Sequence, residues 1–281
     1  MQQPTEYRPA ASVGRVTSFV TVLVATAWAE VERVRAYVIE IIRWPVYPLL
    51  YYAILLLAYQ VSGRAVVGGV NVEGFLFVGT IGAVLWGSTL WASGYAIEME
   101  RNEGTLNSLF LTPASRAAVV FGRGIGSFAI FITPTLVLLT ALAISAGATF
   151  DIQSPVAVVL SFLALVLGAL ALGYVLAGGF VLTRRANMWA NFLQSPIHLL
   201  SGMVVPVSDL PGSLSWFAAV FPMSAGMNAL RDSLLSGATL GEITEPLLRF
   251  SLSSLALLLI GTLLLRRVEN VAKRGGQFDL D

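Results

Sequence analysis

The stretch FLFVGTIGAVLWGSTLWASGYAI, residues 75 to 97, carries no charged side chain. Wound as an α-helix, at about 1.5 Å per residue, it is roughly 34 Å long, enough to cross about 30 Å of hydrocarbon. Other runs of this kind lie on both sides of it, at 45–61, 124–150, 152–183, 186–208, 210–230 and 246–265, the last with Arg249 near its start. The whole chain repeats the message: 281 residues are 56% hydrophobic and only 12% charged, with a mean hydropathy of +0.78. A soluble domain carries roughly a quarter charged residues, so most of this surface has to face lipid or other helices.

Charge position sets the topology that the sequence predicts. Cationic residues gather at Arg8, Arg15, Arg33, Arg35 and Arg43, at Arg101, Arg116 and Arg123, at Arg184 and Arg185, and at Arg266, Arg267, Lys273 and Arg274, leaving Arg64, Arg231 and Arg249 apart. Short cytoplasmic segments collect Arg and Lys, which puts both termini inside and demands an even number of crossings. One run therefore does not cross. Residues 210–230 fit that part, because Pro211, Gly212 and Pro222 interrupt them and serines dilute them; the prediction is an outer re-entrant hairpin of short helices. The expected fold is all-α and polytopic, a single domain over 1–281 with spans at 45–61, 75–97, 124–148, 155–183, 186–208 and 246–266.

Upstream, Val31, Val34, Val38, Ile41 and Ile42 recur at helical spacing among Glu32, Arg33, Arg35, Glu40 and Arg43. Residues 30–43 so read as an amphipathic helix, lying on the inner membrane face or standing as a soluble N-terminal helix. The apolar stretch from Val16 to Ala29 resembles a short signal-peptide core, but charges follow where a small-residue cleavage site belongs. Small residues four apart, at Gly79, Ala83 and Gly87, at Gly122 and Gly126, and at Ala169, Gly173 and Ala177, read as faces for close helix packing.

Several chemistries lack their residues. There is no cysteine and one histidine, His198, so thiolate and multi-histidine metal sites are excluded. Seventeen cationic residues balance sixteen acidic ones, which leaves no electrostatic footprint for nucleic acid. The lone lysine, Lys273, follows the last span, so no phosphate loop can end in a lysine and the chain cannot hydrolyse ATP by that chemistry. No cofactor is expected on the chain itself. A Ser/His intramembrane hydrolase built on His198 with Ser195 or Ser201 would have no acidic orienter in its span.

The loop after residue 97 reads EMERNEGTLNSLFLTP, residues 98 to 113. Leu106, Leu109 and Phe110 form an apolar face on a short helix, Glu100 and Glu103 stand near its positive end, and Pro113 limits it. Outside the membrane such a face needs a partner, and the surrounding acids make an anionic lipid surface the poorer one.

The string Glu-x-x-Glu-Gly-Thr-Leu-x-x-Leu-x-x-Thr-Pro, from Glu100 to Pro113, resembles the cytoplasmic loop of ABC-2 type permeases, the membrane subunits of a class of ABC exporters. The downstream pattern of Ser201-Gly202, Pro206, Leu210-Pro211, Phe221-Pro222, Ala229-Leu230-Arg231-Asp232 and Gly237 resembles the fifth span and outer re-entrant region of that family. Asn107 departs from the family, which often has Glu there. The resemblance implies a half-transporter in the plasma (inner) membrane, two permease chains with two separate ATPase subunits that hold ATP and magnesium. It makes 104–111 the coupling helix, with Glu100, Glu103, Gly104, Thr105, Leu106, Leu109, Phe110, Leu111 and Pro113 as ATPase-coupling residues. Gln194, His198, Pro206, Arg231 and Asp232 are the polar or kinked candidates for a substrate pathway or gate, His198 otherwise a hydrogen-bonded structural group and Arg231-Asp232 otherwise a local ion pair. Tyr47, Tyr51, Tyr52, Tyr59, Trp86, Trp91 and Tyr95 are interface anchors or stacking surfaces. Few polar residues in the spans point to a hydrophobic or lipid-like cargo, with a lipid-linked glycan as the alternative.

Overall fold

The structure, a computed structural model, describes residues 15–35, 38–102, 104, 115–183 and 185–275. Helix α1 (Arg15–Arg35) is followed by α2 (Val38–Val61) and by a hairpin of β1 (Val66–Val67) and β2 (Val70–Asn71). Gly68 and Gly69 turn the hairpin with φ of 59° and 83°, the left-handed pair that a two-residue turn requires. Helix α3 (Val72–Ser88) runs into a π-helical stretch, Thr89–Gly94, and then α4 (Ala96–Asn102). The remaining helices are α5 (Arg116–Ala146), α6 (Pro155–Val181), α7 (Ala186–Leu200), α8 (Gly212–Val220), α9 (Pro222–Leu235) and α10 (Thr244–Gly275).

Local chemistry explains the ends. The Asn71 side chain accepts the Gly74 N–H at 3.2 Å to start α3, and Ser115 and Ser154 cap α5 and α6 in the same way. Helix α5 stops at Gly147, whose φ of 102° suits a left-handed cap. Phe221 is extended before Pro222, which opens α9 at its first turn. The interrupted 210–230 region is therefore two short helices, α8 and α9, joined at the Phe221-Pro222 step.

Among the described residues five helices are long and apolar enough to cross a membrane: Trp44–Val61, Val72–Gly94, Arg116–Ala146, Pro155–Val181 and Thr244–Val268. The expected span at 186–208 takes a different form. Helix α7 ends at Leu200, and 15 residues reach only about 22 Å, less than the hydrocarbon thickness. Gly202, with φ of 72°, and Pro206 take the chain out of helix there. The 30–43 segment is likewise divided, between the end of α1 and the start of α2, with residues 36 and 37 outside the described ones. Helix α5 begins at Arg116, upstream of the predicted 124.

Helix α3 with its π-helical extension is the central pillar: 89% of its membrane-length stretch is buried, against 17% for α2 and for α10. Fully buried Phe75, Leu76, Leu85 and Trp86 come from it. Exposed Ile54, Leu57 and Val61 on α2, and Leu248, Leu252, Leu255 and Leu259 on α10, give apolar outer faces that suit lipid. Two of the small-residue stripes pack as expected. A Cβ on Gly122 or Gly126 would strike the α1 backbone at Leu23 and Ala27, so α1 lies in a glycine groove of α5. Gly173 faces Ser93 and Thr89 of the π-helical stretch. In the third stripe Gly79 touches the Met203 carbonyl, but Gly87 has nothing within 4 Å of a built Cβ.

That contrast is testable. Gly79→Ala drives a methyl into a fixed backbone oxygen and should destabilise the chain by about 1–3 kcal/mol, whereas Gly87→Ala should leave the thermal midpoint in detergent unchanged. Equal midpoints for the two variants would show that α3 and the 201–206 segment are not in contact.

Candidate functional site

Gly87 is open because it borders a cavity of about 290 Å³. Trp44, Tyr47, Pro48 and Tyr51 of α2 form one wall, Ala83, Val84, Gly87 and Trp91 a second, and Gln194 and His198 of α7 the third. The small residues of α3 are what leave the space. Gln194 and His198, one helical turn apart, bring the polar atoms of α7 into an apolar lining, and the His198 ring lies 5.7 Å from the Tyr51 ring. Tyr51 in turn lies 6.3 Å from the ring of Tyr47, and Trp44 stacks on Phe131 at 4.2 Å. Tyr47, Tyr51 and Trp91, readable from sequence as anchors or as stacking surfaces, here line the cavity together with Trp44. Their signal was the spacing Trp44, Tyr47 and Tyr51 along one helix face, together with Gly87 opposite.

The segment Ser201–Pro206, which follows the cavity-lining His198 in the chain, is neither helix nor strand. Irregular backbone is tolerated within a membrane-spanning bundle only where its polar groups find partners inside the protein. Within the segment the Val204 carbonyl accepts from the Tyr59 hydroxyl at 2.7 Å and the Gly202 carbonyl from the Arg231 guanidinium, and the Ser224 hydroxyl donates to the Leu200 carbonyl at the end of α7 at 2.9 Å. Gly202 and Met203 donate their own N–H groups back to Leu199 and His198. Helices α2, α7 and α9 are thus tied together through one stretch of backbone. Fully buried Met203, Met223 and Met227 pack around it, adaptable side chains at a join of unlike elements.

The five pathway candidates separate into two groups. Gln194 and His198 line the larger cavity; Pro206, Arg231 and Asp232 line a second one, of about 170 Å³, beyond the segment. Among the described residues Arg231 makes no ion pair with Asp232; it is buried, with its guanidinium 4.0 Å over the Phe75 ring. The Ser201 hydroxyl is buried without a partner, so no Ser201–His198 pair forms.

At the opposite end of α3, the coupling candidates are described only at their start. Glu100 on α4 pairs with Arg123 on α5 in a half-buried bridge, and Arg101 with Glu98 at 3.2 Å. Glu100 therefore braces α4 against α5, a role its place in the loop did not reveal. Gly104 has φ of 72°, turning the chain after α4. Glu103, Thr105, Leu106, Leu109, Phe110, Leu111 and Pro113 lie outside the described residues.

Membrane-length helices packed around a cavity, with a side-chain-pinned segment of backbone following α7, are the architecture of a multi-pass membrane protein. The chain belongs to the ABC-2 family of transporters: residues 67–265, more than half of it, match the family described as "ABC-2 family transporter protein". It is also similar to ABC transporter G family member 20 of Dictyostelium discoideum, 25% identical over 167 residues, 59% of this chain. The matched part is 23% of that longer protein. The chain is accordingly an ABC transporter permease.

The tie between α2 and the irregular segment rests on one hydroxyl. Tyr59→Phe, which keeps the ring, should lower stability by about 0.5–1.5 kcal/mol, read as a drop in the thermal midpoint in detergent; an unchanged midpoint would remove the Val204 tie from the account.

Proposed function

We propose that this permease is the membrane half of an ABC exporter, powered by a separate ATP-binding subunit that docks on residues 104–111. The observation that carries the reading is the cavity between α2, α3 and α7, whose His198 wall leads directly into a backbone segment tied to α2 and α9. Such a segment has discrete packings rather than a continuum, because its hydrogen bonds are made or broken one at a time. On this reading α3 is the transmission element, since its inner end continues through the π-helical stretch into α4 and the loop that meets the ATPase. ATP binding moves the docked loops, and the contact energy that differs between two states of the bundle shifts the side on which the cavity opens.

Six crossings complete the topology if α7 and the Ser201–Pro206 segment together make the fifth, with α8 and α9 as the outer re-entrant pair and both termini on the ATPase side. The working unit is two permease chains, identical or closely related, and two ATPases, in a prokaryotic plasma membrane. The open side of the cavity, where Tyr47 is exposed, then faces the second chain. The cargo is a hydrophobic small molecule or a lipid-like compound, because the wall is mostly apolar, with Gln194, His198 and two tyrosine hydroxyls as its polar groups. Four aromatic rings at one cavity, Trp44, Tyr47, Tyr51 and Trp91, support a second reading, a lipid-linked glycan held by ring stacking.

ATPase activity of the reconstituted complex separates the two cargo classes, the lipophilic set being expected to stimulate and the lipid-linked sugars not. Leu109→Asp puts a charge on the docking face and should abolish both transport and ATPase stimulation while the permease still inserts. Wild-type recovery of the ATPase subunit with that variant would overturn the docking assignment.

A further inference from the structure

The second cavity has a charge pattern that neither packing nor the transport cycle accounts for. It lies at the end of the bundle remote from α4, between the β1–β2 hairpin, Pro206–Ser208 and α9. Arg231 is 7% exposed and forms its wall. A guanidinium has five N–H donors; here one group donates to the Gly202 carbonyl, Phe75 covers one face, and Nε is buried with no partner. Among the described residues no carboxylate lies within ion-pair distance of it. A buried cation so poorly satisfied is costly unless a further acceptor completes it.

The space beside it, about 170 Å³, has room for that acceptor. The same cavity is lined by Asp232, next to Arg231 on α9 but turned to the exposed rim, and by the exposed Asn228 and Ser208. A cation stands deep, then, and a carboxylate shallow, separated by more than an ion-pair distance. A simple anion would satisfy Arg231 and be repelled by Asp232. A group that carries both signs a few ångströms apart satisfies both.

We propose that this cavity is a binding site for a phosphate-bearing zwitterion of the phosphoethanolamine type, its phosphate on Arg231 and the Asn228 amide and its primary ammonium on Asp232. The phosphate takes charge-assisted hydrogen bonds from the planar guanidinium, and the ammonium donates to the carboxylate. A lipid headgroup and a free phosphoethanolamine share this chemistry. The site is independent of export, because its occupancy needs neither an ATPase nor a cargo.

The full-length chain, purified in mixed micelles holding equal amounts of phosphatidylethanolamine and phosphatidylglycerol, tests it by native mass spectrometry. Wild-type protein should retain phosphatidylethanolamine about tenfold over phosphatidylglycerol. Asp232→Asn should bring the two lipids level. Asn228→Leu fills the cavity from an exposed position, leaves the Arg231 bond to Gly202 in place, and should abolish retention without lowering the thermal midpoint. Millimolar phosphoethanolamine that displaces the lipid and raises the midpoint supports the site with the free zwitterion as ligand; lipid retained against it supports the site with the headgroup as ligand. Equal retention of both lipids by the wild type, or undiminished selectivity in either variant, overturns the proposal.

Discussion

A bilayer supplies no water to a stray carbonyl, and that constraint governs the join between α7 and α8. The chain leaves helix at Ser201 while still packed among membrane-length helices, so each carbonyl it exposes has to be met by a side chain from elsewhere in the bundle. Tyr59 and Arg231 meet those of Val204 and Gly202, and Ser224 meets that of Leu200 at the end of α7. Their donors come from α2 and α9, so the irregular segment is the stitch that holds those helices to α7. On either side of it in the chain lie residues of two cavities of different character, an aromatic one that includes His198 and a charged one that includes Arg231.

The same logic of close approach organises the rest. Helix α3 is buried on nearly every side, which requires small residues where neighbours cross it: Gly79 against Met203, Gly82 against Met227, and Gly94 against Leu176. Where no neighbour fills the gap, at Ala83 and Gly87, the result is the larger cavity. The π-helical turn from Thr89 to Gly94 sits where α5 and α6 both approach, with the Ser93 hydroxyl donating to the Val120 carbonyl at 2.9 Å. Single π turns accommodate an extra residue within a helix and are frequent at functional positions. Here the turn, which itself contributes Trp91 to the cavity, joins α3 to α4, which Glu100 and Arg123 clamp to α5.

Much of this was legible in the order of residues. Charge-free runs located the long helices, and Pro211, Gly212 and Pro222 announced the break in the 210–230 region. Gly122 and Gly126 announced a close contact, but not that its partner would be α1, since a glycine stripe specifies a short distance and not an identity. The 186–208 run did not show where its helix would end, because mean hydropathy averages over Gly202 and Pro206, whose backbone preferences end the helix at Leu200. Tyr47, Tyr51 and Trp91 were ambiguous because an aromatic ring at an interface and one at a cavity carry the same local signature. Arg231 and Asp232 invited the reading of an ion pair, as neighbours of opposite charge do, yet successive residues on a helix point about 100° apart and the pair does not close.

By itself the sequence determined that the chain lives in a membrane and, through one loop motif, which family it resembles. Those properties are sums over neighbouring residues: hydropathy, charge and spacing survive without knowledge of the fold. Only the tertiary structure decided that Gln194 and His198 share a cavity with Trp44 and Tyr51, and that Tyr59 meets the carbonyl of Val204, 145 residues away in the chain. Such meetings depend on how helices cross, which is set by the shapes of all the side chains at once.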